Sequence, residues 1–389
     1  MSGFVNGEVV GEVVEEPPHV SRGLFTMLDR QSSYSSDSED DGSVCSGNMG
    51  DLGISNYEDC ELNEDGTLAP GAGHFSFINP NTFKDTQVFY IKGSGYNPED
   101  PPVMVFHGVF RNPDVYRDSW VKLAEEHGLF VIAPLFSEEQ FPGTAGYNLG
   151  NICMSEKDLT PKSERNWSYH VPEVVFEYFA SSGKRDTTAR GYVAFGHSAG
   201  SQFLHRKVAL APDPRLLLAV SSNAGWYTMP GMTEKWPYGW GGLDEAAGVI
   251  ESEALAAFLA APLVVQLGSK DTDKKHVNLR RTPPALAQGA NRLERGRQFI
   301  RRSRALSHKH DLPLNWLTQL VPGVGHNSSG MAPYAARLMK EFFACGCPAE
   351  LSQVVSDSAT LCEEYTIGEP TVENPIPIEL PTPDKAVVD

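Results

Sequence analysis

The feature that most constrains this chain is the stretch from Gly191 to Gly200, in which a short apolar strand runs directly into Gly-His-Ser-Ala-Gly. A helix-forming segment follows at once over residues 201–210. A G-x-S-x-G pentapeptide between a strand and a helix is typical of a tight, strained turn that lifts its serine above the sheet. Gly196 and Gly200 let the strand and the helix approach each other. The pattern favours Ser198 as a nucleophile over the alternative, a glycine-rich turn with an incidental serine.

Apolar strands alternate with helices on both sides of this stretch. Strands are predicted over residues 86–91, 102–106, 129–134, 191–195, 216–221, 262–267 and 315–320. Helices are predicted over residues 116–127, 169–182, 201–210, 284–308 and 330–344. Because most of these strands are apolar along their whole length, they are expected to be covered on both faces. The predicted fold class is therefore α/β, with a mostly parallel sheet between two layers of helices.

Charge divides the 389-residue chain into a nearly neutral middle and two acidic ends. Residues 1–73 hold 15 acidic and 2 basic side chains, and residues 348–389 hold 9 and 1, so the formal charge of −18 belongs to the ends. Low complexity, acidity and proline predict that both ends are disordered. The expected organisation is a leader over residues 1–72, an α/β domain over residues 73–347 and a tail over residues 348–389.

Composition also excludes several classes of function. The middle of the chain has no strong basic excess, so nucleic-acid binding is not expected. No run of about 18 apolar residues is present, which argues against a membrane span. The chain starts without a basic segment followed by an apolar one, and its 6 cysteines form no C-x-x-C pair. A reduced, cytoplasmic protein is the expectation.

A serine hydroxyl needs a base to remove its proton, and the base needs an acid to hold its tautomer. After a strand–turn–helix of this kind the partners are expected in the order Ser, Asp or Glu, His, each on a loop after a strand. Asp271 follows the strand over residues 262–267, with Asp273 as a rival, and His326 follows the strand over residues 315–320. The carboxyl ends of parallel strands meet at one edge, so Ser198, Asp271 and His326 are predicted to meet there.

An oxyanion hole is expected from two backbone N–H groups. One is that of Ala199, and the other comes from the loop that begins at His107, from either Val109 or Phe110. The sequence leaves the choice between these two open.

Four side chains are predicted to contact the substrate: His107, His197, Trp226 and Tyr227. The last two open an insertion over residues 222–261 that contains half of the 6 tryptophans. Aromatic residues among glycines and prolines suit an apolar pocket above the nucleophile, and equally suit packing of a long excursion onto the sheet.

The helix predicted over residues 284–308 is rich in arginine. Its six arginines are expected to form a solvated face, or alternatively to dock an acidic end of the same chain; they are Arg292, Arg295, Arg297, Arg301, Arg302 and Arg304. The helix ends in His308-Lys309-His310-Asp311, where basic groups suit the negative end of the helix dipole. No metal site is expected.

Residues 75–345 resemble the α/β-hydrolase superfamily and, within it, the polyhydroxyalkanoate-depolymerase and feruloyl-esterase-like branch. The motifs that carry the resemblance are His107-Gly108 with Arg111-Asn112, the pentapeptide around Ser198, the Asp271 loop, Gly325-His326, and residues 147–151 and 223–227. The resemblance implies hydrolysis of a small-molecule or polymeric carboxylic ester through an acyl-enzyme, without a cofactor. The alternatives are a catalytically silent hydrolase fold used for binding, and amide cleavage or acyl transfer on the same three side chains.

Overall fold

A computed structural model describes residues 54–56, 60–181 and 185–346 of the chain. In this part of the chain nine strands form one sheet in the spatial order β1-β2-β3-β5-β4-β6-β7-β8-β9. The strands are Ile54–Asn56 (β1), Gly71–Ile78 (β2), Asp85–Lys92 (β3), Val103–Phe106 (β4), Phe130–Pro134 (β5), Tyr192–His197 (β6), Leu216–Ser222 (β7), Leu263–Gly268 (β8) and Leu317–Val321 (β9).

Ten α-helices accompany these strands in the described residues. They are Pro113–Asp118 (α1), Val121–His127 (α2), Gly143–Gly146 (α3), Val171–Ser181 (α4), Ala199–Leu210 (α5), Leu243–Ala247 (α6), Glu251–Ala260 (α7), Pro283–Gln288 (α8), Arg292–His310 (α9) and Ser328–Cys345 (α10). None of the described helices combines the length and the apolar character needed to cross a membrane.

The sheet is antiparallel at one edge and parallel through the rest. Strands β1, β2, β3 and β5 pair antiparallel with their neighbours in that series. From β5 through β4, β6, β7 and β8 to β9, every pair is parallel. The predicted α/β class with a mostly parallel sheet is confirmed.

Helices cover both faces of the sheet because the strand residues point alternately to two apolar cores. Met104 and Phe106 face a core shared with α4, α5, α7 and α9. Val103 and Val105 face the opposite core, which α1, α2 and α10 complete. All four side chains are fully buried, as the uninterrupted apolar sequence of β4 predicts.

The structure differs from the sequence-based elements at the N-terminal edge of the predicted domain and within two helices. Strand β1 lies upstream of residue 73 and pairs with β2, so the sheet extends into the predicted leader. The helix predicted over residues 284–308 is two helices, α8 and α9, because Gly289 has a φ of 149° and the Asn291 side chain caps α9 by accepting from Glu294 N. The helix predicted over residues 116–127 is likewise divided into α1 and α2. Residues 1–53 and 57–59 of the predicted leader and the whole predicted tail over residues 348–389 lie outside the described residues.

The solvated arginine face predicted for α9 is only partly present. Arg292 and Arg295 are buried. Arg295 donates to the carbonyl oxygens of Gly225, Arg280 and Gly289. Burial lowers the pKa of Arg295 to about 10. The helical spacing of the arginines did not reveal which of them lie against the sheet, because that depends on tertiary packing.

Candidate active site

The turn between β6 and α5 holds Ser198 in a backbone conformation that non-glycine residues rarely adopt, with φ 58° and ψ −111°. The two flanking glycines are required by close approach. A Cβ on Gly196 would lie 2.3 Å from the carbonyl oxygen of Gly200, and one on Gly200 would lie 2.1 Å from that of Phe106. The strain is therefore maintained by the contact of α5 with β4 and β6, and it places the Ser198 hydroxyl at the carboxyl edge of the sheet.

Three side chains from three strand ends meet at this edge. Ser198 Oγ lies 3.0 Å from His326 Nε2, and His326 Nδ1 lies 2.8 Å from Asp271 Oδ2. The carboxylate can only accept, so Nδ1 carries the proton and Nε2 is the acceptor for the serine hydroxyl. Asp271 is 2% exposed, whereas its rival Asp273 is exposed and accepts from Lys275 N. This geometry favours Asp271 as the partner of the histidine.

The predicted oxyanion donors belong to the start of α5 and to the loop after β4. Ala199 is the first residue of α5, where a backbone N–H has no partner within the helix. Val109 and Phe110 occupy the turn that Arg111 N closes by donating to Gly108 O at 3.2 Å. The Arg111 guanidinium donates to the carbonyl oxygens of Phe136, Phe141 and Gly143 and so holds this loop against the next one.

A cleft of about 440 Å³ opens over Ser198. Its lining comes from four segments: the loop after β4 with α1, the turn between β6 and α5, the loop that carries Asp271, and the loop of His326 with the start of α10. Four of the large apolar side chains that the described structure leaves exposed line it, namely Val109, Phe110, Val115 and Val277. Among the described residues, no Asp, Glu, Lys or Arg belongs to the lining. The cleft therefore suits a neutral ligand with apolar parts.

The two histidines predicted to contact substrate occupy different positions. His107 is buried outside the cleft lining, with Nδ1 donating to Gly108 O and Nε2 accepting from Phe136 N at 3.0 Å. Burial lowers the pKa of His107 to about 3, so it is a neutral brace for its loop. His197 does line the cleft, and its ring centroid lies 4.7 Å from that of His326. Burial, followed by the charges of His326 and Arg292, holds the pKa of His197 well below its usual value.

The aromatic insertion lies elsewhere. Trp226 is buried between the guanidinium groups of Arg206 and Arg280, which lie 4.2 and 4.6 Å from its ring centroid. Tyr227 stacks on Phe299 of α9, with ring centroids 4.5 Å apart. Neither side chain belongs to the cleft lining. Both are packed in the core around α5 and α9, because rings of this size bury large apolar areas where aromatic and cationic partners are available.

Two residues beside the three meeting side chains were not anticipated from the sequence. Arg292, at the start of α9, is 1% exposed, and its Nη1 lies 3.7 Å from Asp271 Oδ1. His276 lines the cleft, and its ring centroid lies 5.3 Å from that of His326. The one available indication was that His276 follows Asp271 in the same loop. Among the described residues, no group of three or more His, Cys, Asp or Glu side chains is arranged to hold a metal ion.

The sheet order, the strained serine turn and the cleft at the carboxyl ends of the strands together define the class of α/β-hydrolase folds. Solved structures that are similar to this chain include two bacterial hydrolases. Poly(aspartic acid) hydrolase-1 from Sphingomonas sp. KT-1 is 37% identical, with a TM-score of 0.64 over 70% of this chain and 99% of its own. A poly(3-hydroxybutyrate) depolymerase from Bordetella parapertussis is 29% identical, with a TM-score of 0.63 over 73% of this chain and 94% of its own.

No protein-family model and no curated protein sequence matches the chain. The similarity to the Sphingomonas hydrolase nevertheless covers nearly the whole of that protein. The chain belongs to the α/β-hydrolase superfamily of serine hydrolases, in the depolymerase-like branch that the sequence motifs indicated.

Proposed function

We propose that the protein is a serine esterase that cleaves carboxylic esters through an acyl-enzyme on Ser198. The observation that carries the proposal is the pair of hydrogen bonds that joins Ser198 Oγ to His326 Nε2 and His326 Nδ1 to Asp271. It supports three roles: Ser198 is the nucleophile, His326 the general base and acid, and Asp271 the group that orients the imidazole.

In the first half-reaction Ser198 Oγ attacks the ester carbonyl carbon while its proton moves to His326 Nε2. The tetrahedral intermediate then collapses, the carbon–oxygen bond to the alcohol breaks, and His326 returns the proton to that alcohol. In the second half-reaction water attacks the acyl-enzyme while His326 takes a proton from it; the bond between the acyl carbon and Ser198 Oγ then breaks, His326 returns the proton to Oγ, and the free acid leaves. Asp271 stabilises the imidazolium that forms in both halves.

The negative charge on the carbonyl oxygen is stabilised by backbone donors. We assign one to the N–H of Ala199 and the other to Val109 or Phe110, on the facing loop. Each donor of this kind contributes about 3 kcal/mol of transition-state stabilisation.

The cleft favours an ester whose acid part is neutral and partly apolar, because four large exposed apolar side chains line it and its lining is uncharged in the described residues. Both a short ester and the end of a polymer fit a cleft that is open on one side. The similarity to a poly(3-hydroxybutyrate) depolymerase supports the polymeric case.

Amide cleavage is the second candidate, and one specific observation favours it. The chain is 37% identical to a poly(aspartic acid) hydrolase, whose named substrate is a polyanion joined by amide bonds. A polyanion is bound best by arginine and lysine, and neither lines the cleft in the described part of the chain. The cleft therefore favours the ester.

The test is reaction of the purified protein with a fluorophosphonate probe, followed by mass mapping of the labelled peptide. Wild type is expected to be labelled at Ser198, and Ser198→Ala is expected to lose the label. Labelled protein then justifies kinetics on neutral alkyl esters, polyesters and poly(aspartic acid). Absence of labelling in folded wild type would overturn the proposal in favour of a binding protein without catalysis.

A further inference from the structure

His276 lies in the wall of the cleft, and the proposed reaction gives it no part in catalysis. It lies in the loop between β8 and α8, half-buried, and lines the same cleft as Ser198 and His326. Its ring stands edge-on to that of His326, at an interplanar angle of 74°. It makes no hydrogen bond to the three meeting side chains among the contacts of the described structure. Its position therefore points to the ligand rather than to proton transfer.

The contacts of His276 determine where its proton is. Its Nδ1 accepts from Arg292 Nη2 at 3.2 Å and from Asn278 N at 3.2 Å. A guanidinium and a backbone amide can only donate, so Nδ1 is unprotonated and the ring carries its proton on Nε2. Burial and the charge of Arg292 lower the pKa of His276, which disfavours a second proton on its ring.

Arg292 makes this arrangement rigid. It is almost fully buried, and it lies between His276 and Asp271, the carboxylate that holds His326. The same guanidinium therefore fixes the orientation of the cleft imidazole relative to the nucleophile. A donor held in place in this way loses little conformational entropy when a ligand binds.

We propose that His276 is a substrate-binding residue, whose Nε2–H donates a hydrogen bond to a second carbonyl oxygen in the acyl chain of the substrate. The proposal rests on the proposed function and extends it, because it gives the site a preference for acyl chains that carry a further carbonyl group. A polymer provides such a group in its next repeat unit, whether ester or amide, and a simple fatty acyl ester does not.

Two chromogenic substrates isolate this contact. They are 4-nitrophenyl hexanoate and 4-nitrophenyl 5-oxohexanoate, which differ by one carbonyl oxygen at the fifth carbon of the chain. A single hydrogen bond to a neutral group contributes about 1 kcal/mol, which is about fivefold in kcat/KM. Wild type is expected to prefer the oxo ester by about that factor, mainly through KM.

Two substitutions of His276 separate binding from structure. His276→Asn keeps an acceptor near the position of Nδ1 for Arg292 but has no donor near Nε2, and it is expected to lose the preference. His276→Gln places an amide N–H near the Nε2 position and is expected to recover part of it. His308→Asn, an exposed histidine at the end of α9, is the matched control and is expected to retain the wild-type ratio.

The outcomes distinguish this inference from the proposed function. If wild type hydrolyses both esters equally well, or if His276→Asn lowers both efficiencies by the same factor, the hydrogen bond is refuted while the esterase proposal stands. If wild type hydrolyses neither ester and Ser198 is not labelled by a fluorophosphonate, the proposed function fails and this inference fails with it.

Discussion

The aromatic insertion over residues 222–261 is rich in tryptophan but mostly buries it, whereas the short loops around the cleft have no tryptophan but expose apolar side chains. The insertion holds half of the tryptophans of the chain, and it buries Trp226 and Trp240 in the core. The loops over residues 107–112 and 271–278 hold no tryptophan, yet they leave Phe110 76% and Val277 88% exposed beside Ser198. The aromatic content of a segment thus indicates how much area it can bury. Contact with a ligand depends on lying at the carboxyl ends of the strands without a covering element.

This comparison assigns activity to the cleft loops and stability to the insertion. Its strongest test is Asp271→Asn, which is expected to lower kcat about 10⁴-fold because an asparagine favours the wrong tautomer of His326. Steady-state kinetics on a 4-nitrophenyl ester measures the effect. The matched control is Asp273→Asn, an exposed neighbour expected to retain kcat within about twofold. A kcat of Asp271→Asn near the wild-type value would contradict the role given to this carboxylate.

The role of the insertion in stability is tested by Tyr227→Ala. Loss of a buried ring that stacks on Phe299 at 4.5 Å is expected to lower the free energy of unfolding by about 3–5 kcal/mol. Urea denaturation measures this loss, and KM of the folded variant is expected to stay within about twofold of wild type. A large rise in KM with unchanged stability would instead place Tyr227 in substrate binding.

A third test examines whether stability at acid pH also originates away from the cleft. Glu173 of α4 accepts from the buried Lys207 of α5 at 2.9 Å and lies 3.2 Å from His170 Nδ1. Burial alone would raise the pKa of Glu173, but His170 and Lys207 outweigh it and hold the pKa at about 2, below the ordinary 4.5. A lowered pKa stabilises the fold above about pH 4.5, and this contribution is lost as the pH falls toward 2.

Glu173→Gln is therefore expected to lower the free energy of unfolding by about 2 kcal/mol at pH 7, a figure reduced for partial exposure, and by much less at pH 2.5. Urea denaturation at the two pH values provides both numbers. Glu177→Gln is the matched control on the same helix, since its pair with Arg215 is exposed and contributes less than about 1 kcal/mol. A cost for Glu173→Gln that is the same at both pH values would show that its charge does not stabilise the fold.

The same contrast explains what the sequence could predict. The strands, the turn at Ser198 and the order of Ser198, Asp271 and His326 follow from local pattern, because continuous apolar runs and a G-x-S-x-G turn specify a sheet and its edge. The positions of Trp226 and Arg292 depend on which elements pack against them. Arg292 has the helical spacing of solvated arginines, yet it lies beneath the site because α9 begins only after the break at Gly289.

The smallest expected effect is that of Phe110→Ala, which tests the apolar side of the cleft. Phe110 is exposed and lines the cleft, so Phe110→Ala removes apolar area from the ligand site without opening a cavity in the core. The free energy of unfolding is expected to change by less than about 0.5 kcal/mol. KM for 4-nitrophenyl hexanoate is expected to rise about fivefold, equivalent to losing about 1 kcal/mol of apolar contact.

Phe83 is also exposed, and it does not line the cleft, so Phe83→Ala provides the control that should leave KM unchanged. Equal KM values in the two variants would mean that the substrate does not contact the exposed apolar side chains of the cleft. The exposure of these side chains would then be explained only by their place next to the backbone donors at residues 109–110. A rise confined to Phe110→Ala, and larger for longer acyl chains, would place the acyl group of the substrate along this side of the cleft.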